Sequence, residues 1–118
     1  MTLVDTSVWI SHFRRKDPEL SRLLLAEEAA MHPFVVGELA AENLRDRVRT
    51  LTDLSRLPPA AITPEAEVHC LLDSHRLWGT GLGWIDLHLL ASAKVFGLLL
   101  YSTDAAMKGA AKRLKIAL

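Results

Sequence analysis

The stretch Gly83–Trp84–Ile85–Asp86–Leu87–His88–Leu89–Leu90–Ala91–Ser92–Ala93 constrains the chain more than any other. It reads as the opening turns of a helix that is apolar nearly all round. Such a helix lies buried within a domain. One carboxylate, Asp86, sits in its first turn, where the positive end of the helix dipole favours the ionised form. A lone buried charge is costly, so Asp86 requires a partner or a metal. Other carboxylates that reach the same place would define a site.

The 118 residues are half hydrophobic, which predicts one domain over residues 1–118 with a real core. The formal net charge is zero, so any nucleic-acid partner must be met by a local basic patch. A single cysteine, Cys70, excludes an internal disulfide and a cysteine metal cage and fits a cytoplasmic protein. The start, Met1–Thr2–Leu3–Val4–Asp5, lacks the basic and long apolar regions of a signal peptide. The apolar stretch around residues 84–101 is broken by Asp86, His88, Lys94 and Gly97. It reads as helix, turn and strand, with no membrane span.

Along the chain, Met1–Val4 is of strand type, and Asp5–Thr6–Ser7 caps a helix over Val8–Arg15. Pro18 opens a second helical stretch, Ala29–His32 is a weak strand, and Pro33 precedes a helix over Phe34–Ala41. Leu44, Val48, Leu51 and Leu54 give residues 43–56 an amphipathic helical period. Leu57–Ile62 contains Pro58 and Pro59 and fits only an edge strand. Thr63–Pro64–Glu65 starts a helix running to about Leu77, and a glycine-rich loop leads into the buried helix. Gly97 ends that helix, Leu98–Tyr101 is a strand covered on both faces, Asp104 starts a last helix, and Ile116–Leu118 is a final strand fragment. This alternation predicts a parallel sheet with helices on both sides.

In such a sheet the strands end at one edge, and ligands bind outside those ends where strand order reverses. Asp5 follows the first strand, Glu38 lies in the helix after the second, Asp86 opens the buried helix, and Asp104 follows the strand Leu98–Tyr101. Three or four carboxylates thus point toward one region. Unpaired, they would raise one another's pKa. A divalent cation removes the repulsion, and an oxygen-only donor set suits Mg²⁺ or Mn²⁺. That chemistry points to metal-assisted hydrolysis of a phosphodiester. Taken singly, Asp5 and Asp104 also suit helix N-caps, and Glu38 a solvated helix face.

The chain resembles the PIN-domain ribonucleases, in particular the VapC-type toxins of bacterial toxin–antitoxin pairs. The resemblance rests on Val4–Asp5–Thr6–Ser7–Val8–Trp9, Gly37–Glu38–Leu39, Gly81–Ala93 and Leu100–Tyr101–Ser102–Thr103–Asp104. It implies a three-layer α/β/α, Rossmann-like domain with a mostly parallel sheet of four or five strands. It also implies endonucleolytic cleavage of RNA, homodimers, and neutralisation by an antitoxin laid across a groove near the acidic site. Asp5, Glu38, Asp86 and Asp104 match the family's four acidic positions, and Ser7 a hydroxyl beside the first. On this reading Asp5 and Asp86 ligate the metal directly. Glu38 orients or deprotonates the attacking water, or binds metal through water. Asp104 completes the shell, and Ser7 orients a carboxylate. Family members often follow the last acid with another acid and an aromatic. Here Ala105–Ala106–Met107 follows, which points to an Asp104 acting through water or on a second, weaker metal.

The basic residues available to RNA are Arg14–Arg15–Lys16, Arg45, Arg47 and Arg49, and the helically spaced Lys108, Lys112 and Lys115. A solvated helix face accounts for most of them. The five histidines form no convincing site and read as surface or structural. Trp9, Trp78 and Trp84 read as core or dimer contacts. A phosphoacceptor receiver domain would need paired acids after the first strand, and an aspartyl phosphatase a second acid where Ser7 stands. A non-catalytic RNA- or protein-binding module of the same fold is the alternative.

Overall fold

The computed structural model describes residues 1–118. Its order is β1 (Thr2–Val4), α1 (Thr6–Arg14), α2 (Pro18–Leu25), β2 (Ala29–Ala30), α3 (Pro33–Ala40), α4 (Arg47–Ser55), α5 (Glu65–Ser74), α6 (Trp84–Phe96), β3 (Leu99–Tyr101) and α7 (Ala105–Arg113). The strands lie in the order β2-β1-β3 and are all parallel. Thr2 pairs with Ala29 on one side, and Val4 with Tyr101 on the other. With β1 central and the chain crossing from one flank to the other, strand order reverses at the carboxyl end of β1. Asp5 stands at that point.

Three strands form where four or five are expected. The other two segments are reduced to single parallel bridges, Met31↔Pro59 at one edge and Leu100↔Ala117 at the other. Pro58 and Pro59 have no N–H to donate. Their segment contributes only the Pro58 carbonyl, 2.8 Å from the Met31 nitrogen, and the Ala60 N–H, 2.9 Å from the Met31 oxygen. At the opposite edge the Leu100 N–H reaches the Ile116 carbonyl at 2.7 Å, and the Leu118 N–H returns to the Leu100 carbonyl at 3.0 Å.

The apolar helix is buried as its composition requires. Every residue from Leu87 to Ala93 is buried, and α6 packs on β1, β3, α5 and α7. The Ser92 hydroxyl donates to the Ala61 carbonyl at 2.8 Å, which ties the proline edge to the helix. Gly97, at φ 68°, ends α6 and lets the Leu98 N–H reach back to the Ala93 carbonyl at 2.9 Å. No helix is long and apolar enough to cross a membrane.

Two helices are shorter than their hydrophobic period suggests. α4 begins at Arg47, because Asp46 adopts a left-handed backbone (φ 48°) and the Arg47 guanidinium donates to the last-turn carbonyl of Ala40. α5 stops at Ser74. Arg76 turns left-handed (φ 50°), and the Leu77 N–H closes on the Leu72 carbonyl at 3.0 Å.

His32 and His88 are buried, and rings connect them: His32 meets Phe34 edge-on at 5.0 Å, and Phe34 meets His88 at 4.8 Å. The His32 Nδ1 accepts the Phe34 N–H at 3.0 Å and so caps α3. That bond requires an unprotonated Nδ1. Burial, and secondarily His88, lower the His32 pKa from 6.5 to about 4. Between those values the unfolded chain takes up a proton that the folded chain refuses. Stability therefore falls as pH drops through this window. Urea midpoints should decline from pH 7 to pH 4.5, and His32→Asn, whose side-chain oxygen still accepts the Phe34 N–H, should flatten that decline. An unchanged slope in the variant would acquit His32.

Candidate active site

Asp5 is 5% exposed and ends β1, held against β3 by its N–H to the Tyr101 carbonyl at 2.9 Å. It occupies the N-cap position of α1 but makes no side-chain cap bond. Its Oδ2 instead receives the hydroxyls of Ser102 at 2.7 Å and Ser7 at 3.1 Å. Both bonds fall on one oxygen, so Oδ1 has no hydrogen-bond partner. Asp104 behaves differently. Its Oδ2 caps α7 by accepting the Met107 N–H at 3.0 Å, and its own N–H goes to Ser102 Oγ at 3.0 Å. Of the two acids that suit helix caps, one is a cap and the other is not.

Asp86 lies in the first turn of α6 and accepts the Gly83 N–H at 2.9 Å. Its pKa is raised from the ordinary carboxylate value. Burial is the largest cause, the Gly83 bond opposes it, and the charges of Asp5 and Asp104 raise it further. The structure thus brings Asp5, Asp86 and Asp104 within electrostatic reach of one another. Glu38, half-buried on α3, is not among the charges acting on Asp86. It is tethered to the same corner by Thr6, whose hydroxyl donates to Glu38 Oε1 at 2.6 Å. The three ion pairs in the molecule are Arg22–Glu19, Arg22–Glu28 and Arg56–Asp53, so none of the four acids is neutralised by a cationic side chain.

The family model described as "PIN domain" matches residues 2–113. The chain belongs to the PIN-domain family. The chain is 42% identical over 119 residues to proteins named Ribonuclease VapC32 from Mycobacterium tuberculosis strains CDC 1551 / Oshkosh and ATCC 25618 / H37Rv, an alignment covering 100% of this chain and 96% of each relative. Among solved structures, PAE2754 from Pyrobaculum aerophilum superposes with a TM-score of 0.69 at 20% identity, over 99% of this chain and 87% of that one. FitAcB from Neisseria gonorrhoeae superposes with a TM-score of 0.61 at 22% identity, over 95% and 94%. These two likenesses establish the shared fold.

Two contacts of this PIN domain are not evident from its sequence. Ser102 reads as a loop serine between a strand and an acid, yet it is buried and bridges Asp5 to the Asp104 backbone. Thr6 reads as part of a helix start, yet it fixes Glu38. Ser7 does reach Asp5, though by the longer bond, and lies 3.5 Å from the Thr103 hydroxyl. Trp9 is core, but Trp78 and Trp84 are 58% and 40% exposed. Trp84 borders a mostly apolar cavity of about 800 Å³, with Phe34, Ile62, Ile85 and His88 on its walls and Glu38 at its margin.

The donor set is all oxygen. No three acidic, histidine or cysteine side chains form a ready-made cage. Mg²⁺ does not need one, because it keeps several waters and is held by one or two carboxylates plus substrate phosphates. Carboxylates without a cationic partner, two of which raise the pKa of Asp86, fit such a cation.

Proposed function

We propose that this protein is a Mg²⁺- or Mn²⁺-dependent endoribonuclease, the toxin of a type II toxin–antitoxin pair. The 42% identity to Ribonuclease VapC32 over the whole chain carries this reading, and the carboxylates at the switch point, none of them paired with a cationic side chain, support it. When bound, the cation supplies an activated water and offsets charge on the phosphate. Asp5 and Asp86 would hold it, Asp5 with its Oδ2 already taken by Ser102 and Ser7. Glu38, oriented by Thr6, would accept a proton from the attacking water. Asp104, with one oxygen committed to its cap, would assist with the other, directly or through water.

The relevant substrate is RNA, and the site of action the cytoplasm, where an exposed unpaired Cys70 stays reduced. The apolar cavity beside Glu38 receives a segment of the antitoxin, which closes the acidic corner to RNA. The protein works as a homodimer.

Purified, antitoxin-free protein incubated with structured cellular RNAs tests the reading. Cleavage is expected with Mg²⁺ or Mn²⁺, ended by EDTA and restored by excess metal. A folded protein that cuts nothing with either metal would instead be a non-catalytic binding module of this fold.

A further inference from the structure

The carboxyl end of β3 carries a second feature. Beside the acidic corner lies a cavity of about 230 Å³, walled by β3, Ser102, Thr103, α7 and the segment Ala117–Leu118. Two basic residues line it, Lys108 and Lys112, and no acidic side chain does. The lysines are one helical turn apart on α7 and so share a face. Neither takes part in an ion pair. For Lys108 this is notable, because Asp104 stands four residues earlier, the spacing and order that favour a helical acid–base pair. Lys94, by contrast, is spent on the Leu114 carbonyl at 3.1 Å, and Lys115 lies outside the cavity.

One residue joins the cavity to the acids. Ser102 lines the cavity and donates its hydroxyl to Asp5, while Thr103, also on the wall, lies 3.5 Å from Ser7 across the same corner. Cations and carboxylates thus sit side by side without cancelling. A polyanion lying over this edge meets attraction from the lysines directly next to the site that acts on it.

We infer that Lys108 and Lys112 form a subsite for a phosphodiester of the RNA strand, flanking the one that is cut. Thr103 contributes a hydroxyl donor. This rests on the ribonuclease reading and adds two binding residues to it. The subsite fixes which way the strand crosses the acidic corner, because positive charge is supplied on the β3–α7 side of Asp5. Its contribution does not depend on base sequence, since ammonium groups at phosphates carry no sequence information.

The test is fluorescence anisotropy with a labelled oligouridylate in EDTA, where nothing is cleaved, as a function of salt. Each phosphate contact on a single strand contributes about 0.7 to the salt slope. Lys108→Ala/Lys112→Ala removes the one phosphate contact, so it should lower the slope by about 0.7 and weaken binding about 5-fold near 0.1 M salt. Lys108→Arg/Lys112→Arg should bind within about twofold of the parent, since the charge is kept. Lys115→Ala removes the same kind of charge just past the end of α7, outside the cavity, and should change binding less than about twofold. Unfolding midpoints of all variants should match the parent. Parent binding with an unchanged double-alanine variant overturns the subsite alone, as does an equal loss in Lys115→Ala. A parent that neither binds the oligouridylate nor cleaves RNA with metal overturns the subsite and the ribonuclease reading together.

Discussion

Asp5→Asn is expected to lower metal-dependent RNA cleavage by about 10³-fold or more and to leave the protein as stable as its parent, or more so. The two effects have one cause. Asn keeps the shape of Asp and an oxygen that can accept from Ser102 and Ser7, so the packing around this buried position survives. The lost charge is one that acts unfavourably on Asp86, and its removal relieves repulsion. A metal at the scissile phosphate supplies several kcal/mol of charge stabilisation. At about 1.4 kcal/mol per decade, most of that loss is about 10³-fold. Single-turnover cleavage with Mn²⁺, thermal unfolding and an NMR titration of Asp86 together check it, the Asp86 pKa moving down toward the ordinary carboxylate value. Ser102→Ala, which removes an orienting hydroxyl but no charge, should cost about 10–100-fold. Cleavage that persists in Asp5→Asn, with stability lost, would make Asp5 a structural residue.

Leu89→Ala is expected to remove about 3–5 kcal/mol of stability. Leu89 is fully buried in α6, the helix that packs on β1, β3, α5 and α7 at once. A void there has walls on all sides, and none is free to collapse without disturbing the sheet. Domains of this kind are stable by about 5–15 kcal/mol, so at least about a fifth of the total is at stake, a fall in melting temperature of roughly 10–20 °C. Urea unfolding measures it. Val95→Ala on the same helix, at a half-exposed position, should change stability by less than about 0.5 kcal/mol. Similar losses in the two variants would mean that α6 is not the central element its burial indicates.

Sequence alone makes the backbone plan legible where residue chemistry punctuates it. Pro18, Pro33, Asp104 and Gly97 mark helix ends with groups that other positions tolerate badly, and those ends stand where they are expected. Ends without such marks are not legible. α2, α5 and α7 each close on a left-handed residue that is not glycine, namely Glu27, Arg76 and Lys115, and the N–H that follows each one returns to the carbonyl five residues back, an ending that residue type does not announce. The proline pair forecasts an edge segment correctly, but a single bridge results instead of a strand. For the candidate site, the acids are legible because carboxylates are rare in apolar surroundings. Their supports are not. Ser102 and Thr6 are ordinary residues for their positions, and only the β1–β3 and α1–α3 contacts reveal what they hold. The exposure of Trp78 and Trp84 is likewise decided by tertiary placement and not by residue type.

The pairing of β1 with β3 joins one of the earliest strands of the chain to its latest. A ribosome releases the amino end first. While it works, β1 has at most β2 beside it, and the partner that holds Asp5 through the Tyr101 carbonyl does not yet exist. Ser102 and Asp104 arrive later still. Contacts between such distant segments form slowly, because a long loop must close before they stabilise anything. An incomplete chain therefore cannot assemble this corner, however long translation pauses. The corner is complete only once residues 99–104 have been made and docked on β1.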